Sequence, residues 1–326
     1  MNRRALLAAL PLINVLIGDP VNAQTTSAAR VEPVASLDSK VRHRTIVIDG
    51  VRVFYREAGP RDAPTLLLLH GFPSSSHMFR HLMPALADRW HVVAPDYPGF
   101  GASEFPGPEH FAYSFASYAG LIDRFAQALH LDRYALYIQD YGAPIGLRLA
   151  LRAPERVSAL IVQNGNAYEH GLSREWEPLQ AYWRDPTAQR RERLRGWLGA
   201  DGTRAQYTAG LTEAQLELLS PDTWTLDWAL LSRPRNIELQ LDLFGDYQSN
   251  VALYPQFQRF LRERKPPTLI VWGERDPFFT VEGALAYRND VPQAELHLLD
   301  AGHFALETHG PEIAALVRAF LSRHLT

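Results

Sequence analysis

Residues 134–150, YALYIQDYGAPIGLRLA, constrain the fold of this chain more than any other stretch. The first six residues form a mainly apolar run that is typical of a buried strand, and the apolar positions that follow are spaced as in a buried helix. A residue in so short a strand-to-helix turn is pushed out of the sheet, and the small Gly142 and Gly146 relieve the crowding. The turn therefore presents Asp140 near the start of a helix, where backbone N–H groups favour an anion.

Asp140 occupies the position that serine holds in the G-x-S-x-G nucleophile turn, and Ile138 replaces the small residue that usually precedes it. A serine alkoxide suits attack on a carbonyl group. A carboxylate is already an anion at neutral pH, and it suits displacement at a saturated carbon. We therefore predict that Asp140 is a nucleophile that forms an alkyl ester with its substrate.

Apolar runs alternate with helical patterns along most of the chain. The runs that indicate strands lie at residues 65–69, 91–94, 134–139, 159–163, 268–272 and 294–299. The helical patterns lie at residues 76–87, 115–129 and 313–325. Near the start, a D-G turn between residues 44–48 and 51–56 predicts a β-hairpin. This alternation predicts an α/β fold with a mostly parallel central sheet and helices on both faces.

The alternation stops between residues 167 and 254. This segment has no clear strand, is rich in Trp, Tyr, Arg and Pro, and has a helical spacing of its apolar residues. We predict that residues 167–254 form an inserted helical cap on a core domain made of residues 41–166 and 255–326. In such sheets the working residues lie at the carboxyl ends of the strands, and the cap is expected to cover that end.

The first residues of the chain are typical of an export signal. A positive start at residues 3–4, an apolar run at 5–17 and a small-residue cleavage site at 21–23 form the usual pattern. We predict a signal peptide at residues 1–23, a flexible leader at 24–40 and an exported protein, periplasmic or secreted. The apolar run is short for a membrane span, so no stable span is expected after processing; an uncleaved anchor is the alternative.

The formal net charge is −3, from 33 basic and 36 acidic residues, and no block of like charge stands out. This balance gives no electrostatic footprint for nucleic acid or an anionic membrane, and neither is expected as a partner. Cysteine is absent, which excludes thiol nucleophiles, disulfides and thiolate metal sites. The sequence does not determine the oligomeric state.

Two further polar residues follow later predicted strands. Asp276 comes after the strand at 268–272, and His303 comes after the strand at 294–299. The chain order Asp140, Asp276, His303 is that of a nucleophile, an acid and a base. We predict that His303 is the general base and that Asp276 orients it. Glu274 and Asp300 are alternatives for the acid.

Together these features resemble the α/β-hydrolase superfamily, and within it the branch of epoxide hydrolases and haloalkane dehalogenases. The resemblance covers about residues 45–325, and its matching blocks are HGFPSSSHMF, PDYPGFGAS, QDYGAPIG, VWGERDPF and AGHFALE. It implies the α/β-hydrolase fold, an aspartate nucleophile, water and a small apolar or aromatic substrate, and no metal or organic cofactor. By the same analogy, the backbone N–H groups of Phe72 and Tyr141 are expected to form the oxyanion hole.

The two subfamilies differ in how they stabilise the leaving group. Haloalkane dehalogenases typically have Trp directly after the nucleophile and Asn after the H-G pair, where this chain has Tyr141 and Phe72. Epoxide hydrolases use two cap tyrosines as proton donors, and Tyr182 and Tyr247 match the expected places. The leading expectation is therefore hydrolysis of an epoxide to a vicinal diol.

Three alternatives remain. The first is a haloalkane dehalogenase with an atypical halide site, to which a cap tryptophan could contribute an indole N–H. The cap tryptophans in question are Trp183, Trp197, Trp224 and Trp228. The second alternative is an ester or lactone hydrolase, which the lack of serine in the elbow disfavours. The third is a protein that binds an apolar ligand without catalysis.

Overall fold

The computed structural model of the protein describes residues 40–325. The predicted signal peptide at residues 1–23, and the leader up to residue 39, lie outside the described residues and stay predictions. The described chain contains a single eight-stranded sheet. Its strands are β1 (Arg42–Ile48), β2 (Val51–Ala58), β3 (Thr65–Leu69), β4 (His91–Pro95), β5 (Tyr134–Gln139), β6 (Val157–Gln163), β7 (Thr268–Gly273) and β8 (Glu295–Leu299).

The strands lie in the order β1-β2-β4-β3-β5-β6-β7-β8. β1 pairs with β2, and β2 with β4, in antiparallel fashion; every other pair in the sheet is parallel. This confirms the predicted mostly parallel sheet. β5 lies in the middle of the sheet between β3 and β6, so the turn that follows it opens at the centre of the carboxyl edge.

The helices cover both faces of the sheet. They are α1 (Leu82–Leu86), α2 (Phe115–Ala128), α3 (Gly142–Arg152), α4 (Glu177–Arg184), α5 (Ala188–Leu194), α6 (Ala200–Thr208), α7 (Glu213–Leu216), α8 (Asp222–Leu231), α9 (Asn236–Asp246), α10 (Gln248–Arg264), α11 (Val281–Asp290) and α12 (Ala305–His324). Successive side chains of a strand point to opposite faces. In β5, Leu136 and Ile138 therefore pack into the core beneath α2 and α3, whereas Ala135 and Tyr137 pack into the core beneath α1 and α12.

Two predicted helices differ from the structure. The segment predicted as a helix at 76–87 is a 3₁₀ turn, Ser76–Phe79, followed by the short α1. The closing helix begins at Ala305 rather than at residue 313, and it has a kink at His309, two residues before Pro311. Because proline disfavours a helical conformation of the residue before it, the sequence pattern placed a boundary where the helix only bends.

The chain between β6 and β7 is largely helical and contains α4 to α10. The predicted boundary of the cap at residue 254 falls inside α10, which continues to Arg264 with Pro255 in its interior. The division into core and cap stays a prediction. None of the helices within residues 40–325 is long and apolar enough to cross a membrane.

Candidate active site

Asp140 lies in a tight turn between β5 and α3, and its backbone has a φ of 47°. This left-handed conformation is uncommon for a residue other than glycine, and it is often found at functional sites. The turn is possible because α3 starts close against β3: a Cβ on Gly142 would lie 2.1 Å from the backbone oxygen of Leu69. The predicted elbow therefore forms, and it holds the Asp140 side chain at the centre of the carboxyl edge.

The Asp140 carboxyl group is buried but well supplied with donors. Its Oδ1 accepts a hydrogen bond from the Phe72 N–H at 2.6 Å. Burial raises the pKa of Asp140 to about 6, while His303 and the backbone N–H groups of Phe72 and Tyr141 act in the opposite direction. The carboxylate therefore dominates at pH 7. The two predicted oxyanion-hole donors both act on this carboxyl group.

Gly71 allows the H-G-F-P loop to approach Asp140. A Cβ at this position would lie 2.3 Å from the Cβ of Asp140 and 2.5 Å from both Asp140 Oδ1 and Gln139 Oε1. Such distances are far below van der Waals contact, so any side chain at residue 71 must displace the elbow.

We expect Gly71→Ala to lower the rate of substrate hydrolysis by about 10²-fold, because a displacement of the nucleophile by about 1 Å is enough for such a loss. Gly310→Ala is the matched control, since a Cβ on Gly310 would meet nothing within 4 Å. Rates and thermal unfolding midpoints of both variants check this. If Gly71→Ala were as active as the control, the loop would accommodate a Cβ without displacing Asp140, and the close packing described above would be wrong.

His303 and Asp276 form a hydrogen-bonded pair beside Asp140. His303 Nδ1 lies 2.8 Å from Asp276 Oδ2, and His303 Nε2 lies 4.0 Å from Asp140 Oδ2. Burial alone would lower the pKa of His303, but the carboxylates of Asp276 and Asp140 raise it above the usual value. The neutral imidazole thus carries its proton on Nδ1, toward Asp276, and has the lone pair of Nε2 on the side of Asp140.

The structure distinguishes Asp276 from the alternative acids. Its side chain is fully buried at His303, and its Oδ1 accepts the Phe278 N–H at 2.8 Å. Glu274 is exposed, and the exposed Asp300 pairs with Arg275 at 2.5 Å. Of these three carboxylates, only Asp276 contacts the histidine.

Asn164 is a residue of this site that the sequence reasoning did not identify. Its Nδ2 donates to Asp276 Oδ2 at 2.8 Å, and its Oδ1 accepts the Gly273 N–H at 2.9 Å. Asn164 thereby ties the end of β6 to the acid after β7. Its position directly after a buried strand was the available signal, but the same position fits an ordinary turn residue.

A small pocket adjoins Asp140. Its volume is about 30 Å³, which is room for about one water molecule. The residues around it are mostly aromatic and come from both the core and the segment between β6 and β7. They are Phe72, Asp140, Tyr141, Trp176, Leu179, Trp197, Gln206, Phe244, Tyr247 and Phe278. Larger open grooves of about 430 and 530 Å³ lie elsewhere on the surface, but none of Asp140, Asp276 and His303 borders them.

Two tyrosine residues at this pocket have buried hydroxyl groups. Tyr141 and Tyr247 are buried, and their rings lie 6.0 Å apart. Neither hydroxyl meets strict hydrogen-bond geometry with a described residue, but the Tyr247 hydroxyl lies close enough to the Tyr254 hydroxyl to donate a weak hydrogen bond to it in the absence of substrate. Burial, with a further contribution from the Asp140 carboxyl, raises the pKa of both hydroxyls well above its usual value. Both therefore stay protonated.

The structure does not bring Tyr182 to Asp140. Tyr182 is half-buried on α4, is not among the residues around the pocket, and packs near Gly245 with its hydroxyl beside the guanidinium of Arg191. Of the two predicted donors, Tyr247 alone lies at the pocket. The second buried tyrosine hydroxyl there belongs to Tyr141, which the sequence reasoning assigned only a backbone role.

Two tryptophans near the pocket have their indole N–H groups engaged. Trp176 donates to the Phe278 carbonyl oxygen at 2.9 Å, and Trp183 donates to the Phe244 carbonyl oxygen at 2.8 Å. A halide is held by N–H donors that face it, so neither of these indoles is available for that role in the described conformation.

A sheet of this order, with a nucleophile elbow and a histidine–aspartate pair at its carboxyl edge, defines an α/β-hydrolase. The chain belongs to this family: the family model for the alpha/beta hydrolase fold matches residues 64–310. The protein is therefore a hydrolase of the α/β-hydrolase type, as the resemblance implied.

Comparison with known proteins agrees with this assignment. The chain is 47% identical to the uncharacterized hydrolase YNR064C of Saccharomyces cerevisiae over 278 residues, which are 83% of this chain and 94% of that protein. It is 27% identical to a haloalkane dehalogenase of Psychrobacter cryohalolentis over 287 residues, covering 83% and 88% of the two chains. The fold matches that of epoxide hydrolase CorEH with a TM-score of 0.70 at 18% identity, covering 87% and 99%. The resemblance to the dehalogenase- and epoxide hydrolase-like branch is confirmed.

Proposed function

We propose that the protein is an epoxide hydrolase that works through a covalent alkyl ester on Asp140. The observation that carries this proposal is the pair of buried hydroxyls, Tyr141 and Tyr247, at the pocket that Asp140 borders. Opening of an epoxide creates an alkoxide, which must be protonated. O–H donors such as tyrosine hydroxyls serve this purpose, whereas a halide leaving group is held by N–H groups without proton transfer. The occupied indoles of Trp176 and Trp183 support the same choice.

In the first half-reaction, one oxygen of the Asp140 carboxylate attacks a ring carbon of the epoxide. A new C–O bond forms, the ring C–O bond breaks, and its electron pair goes to the departing ring oxygen. The hydroxyls of Tyr141 and Tyr247 donate hydrogen bonds to that oxygen, and one of them transfers its proton. The ester intermediate then carries a hydroxyl group, and one tyrosine is left as tyrosinate. The mostly aromatic lining of the pocket has a low dielectric constant, which strengthens these hydrogen bonds.

In the second half-reaction, His303 Nε2 takes a proton from water, and the water oxygen attacks the carbonyl carbon of the Asp140 ester. Asp276 stabilises the resulting imidazolium through its hydrogen bond to Nδ1. The Phe72 and Tyr141 N–H groups stabilise the oxyanion. The ester C–O bond then breaks, the leaving oxygen takes the proton from His303, and a vicinal diol departs. Asp140 is left as the protonated acid, and its proton returns to the tyrosinate, which restores both groups.

The test is a panel of styrene oxide and butyl bromide, with diol and free bromide quantified together. Diol formation in which a single turnover in heavy-oxygen water leaves the label in Asp140, and not in the diol, supports the proposal. Direct labelling of the diol would contradict a covalent intermediate. Bromide without diol would contradict epoxide hydrolysis.

Tyr247→Phe is expected to slow the alkylation step by about 10²-fold, because the donor to the departing oxygen is lost. Tyr182→Phe is the matched control, and it is expected to keep the wild-type rate because its hydroxyl lies beside Arg191 and not at the pocket. Single-turnover rates on styrene oxide check both. Equal slowing by both substitutions would support the proton-donor role that the sequence predicted for Tyr182, and normal rates in both would contradict the role of Tyr247.

A haloalkane dehalogenase is the second candidate, and one observation favours it. Trp197 borders the pocket, and its indole N–H makes no hydrogen bond to a described residue. With the Gln206 amide, which borders the same pocket, it could supply two N–H donors to a halide. Bromide release that Trp197→Phe abolishes would support this candidate.

A further inference from the structure

Gln139 lies next to both Asp140 and His303, and it has no role in the reaction steps described above. It is the last residue of β5, directly before Asp140, and it is fully buried. Its Nε2 lies 3.0 Å from His303 Nε2. Because Asp276 accepts the Nδ1–H, the Nε2 atom of the neutral imidazole is an acceptor, and the Gln139 amide donates to it. Gln139 therefore touches the atom that must take a proton from water.

The other end of the same amide points toward the nucleophile. Gln139 Oε1 is buried and has no hydrogen-bond partner among the described residues. A Cβ on Gly71 would lie 2.5 Å from both Gln139 Oε1 and Asp140 Oδ1, so the two oxygens flank the same glycine. A buried carbonyl oxygen without a partner is costly, and it is a strong acceptor for any donor that reaches it.

We propose that Gln139 is a positioning residue for the hydrolytic half-reaction: it aligns His303 and holds the attacking water between His303 Nε2 and its own Oε1. This inference rests on the proposed covalent intermediate. The gap of 4.0 Å between His303 Nε2 and Asp140 Oδ2 is too short for a water on the direct line between them, since each hydrogen bond needs about 2.8 Å. The water must lie to one side of that line, and Gln139 offers an acceptor there.

The step conserves atoms and charge. The water donates one O–H to His303 Nε2 and the other to Gln139 Oε1, and its lone pair attacks the ester carbon of Asp140. The first proton moves to His303, and the carbonyl electron pair moves to the oxyanion. The Gln139 N–H gives up its bond to His303 as the water takes its place. Alkylation of Asp140 needs no base, so Gln139 acts in the second half-reaction alone.

Gln163 provides a matched control on the neighbouring strand. It pairs in register with Gln139 and is equally buried. Its Oε1 accepts the Tyr137 hydroxyl, and its Nε2 has no partner among the described residues. A change to Leu at either position removes one buried amide from the end of a central strand. Only the change at residue 139 removes a contact with His303.

The experiment uses the full chain with an excess of enzyme over styrene oxide, quenched at intervals. Intact-protein mass gives the amount of alkylated enzyme, and product analysis gives the diol. Gln139→Leu is expected to form the adduct at the wild-type rate and to hydrolyse it about 10²-fold more slowly. Gln163→Leu is expected to keep the wild-type ratio of the two rates. Equal ratios in the two variants would overturn the inference.

The pH profile of adduct hydrolysis is a second readout, which a purely structural role would not move. The Gln139 N–H stabilises the neutral imidazole, in opposition to the Asp276 carboxylate that faces the same ring; Asp140, which also raises the pKa of His303 in the free enzyme, is an uncharged ester in the adduct. Loss of the Gln139 N–H raises the pKa of His303, so the acid limb of the profile is expected to move to higher pH in Gln139→Leu only. An unmoved limb would contradict the contact.

His303→Gln separates the failure of this inference from the failure of the proposed function. An adduct that persists in His303→Gln, together with an unchanged ratio in Gln139→Leu, overturns the role of Gln139 alone. No adduct in any variant, with no diol from the wild type, overturns the covalent epoxide mechanism and this inference with it.

Discussion

Asp140→Ala is expected to lower diol formation from styrene oxide by at least about 10⁴-fold, because Asp140 is the only carboxylate among the described residues that border the pocket. The variant should remain folded, since the substitution removes a carboxylate whose burial is unfavourable. Asp132→Ala is the control: this exposed aspartate lies just before β5, at the far end of the same strand. Intact-protein mass after incubation should show an adduct in the control and none in Asp140→Ala.

The same carboxyl group predicts the pH dependence of alkylation. Its pKa is raised to about 6, so the protonated, unreactive form dominates below that pH and the carboxylate dominates above it. The rate of adduct formation should therefore fall as the pH drops through about 6. A rate that stays constant down to pH about 4, the ordinary range for aspartate, would show that the buried environment does not persist in solution.

His303→Gln is expected to stop the reaction after one alkylation per site. The Asp140 carboxylate still attacks the epoxide, but no base remains to take a proton from water, and the loss of hydrolysis should be about 10³-fold or more. Formation of adduct up to the enzyme concentration, followed by a plateau and without diol, is the signature. His297→Gln is the control, because His297 lies within β8, the strand that leads to His303.

Steady turnover by His303→Gln at close to the wild-type rate would show that a residue other than His303 is the general base. Loss of the adduct in this variant would instead show that the histidine is needed for alkylation, in contrast to the order of steps proposed above. The two outcomes differ in the mass of the intact protein and need no assumption about the natural substrate.

The parallel sheet and the catalytic edge were predictable because their signals are local. The buried runs of β3, β5 and β7 are continuous and apolar, and each ends at a turn residue that marks the carboxyl end. Parallel strands bring these ends to one edge, so Asp140, Asp276 and His303 could be placed together before any coordinates. The same local reasoning failed near Pro311, where a kinked helix and a helix start have the same pattern.

The carboxylate that pairs with His303, and the hydrogen-bond donors of the site, could not be identified from local sequence signals. Glu274, Asp276 and Asp300 all lie close to strand ends, and only the fold shows that Asp276 is the one buried against the histidine. The contact between Gln139 and His303 joins residues 164 positions apart, and nothing in the sequence marks it. Such contacts depend on how loops that follow different strands pack together. The spacing of apolar residues along the sequence gives no information about this packing.

The sequence alone predicted the sheet, the location of Asp140, Asp276 and His303 at one edge of it, and the membership of a broad hydrolase class. The tertiary structure alone decided which hydroxyls reach the pocket. Tyr182 and Tyr247 look alike in the sequence, but α4 directs one toward Arg191, while the turn between α9 and α10 buries the other against Tyr141. The physical reason is that the segment between β6 and β7 is ordered by packing among its own helices, and a rotation of any helix about its axis changes which side chains face Asp140.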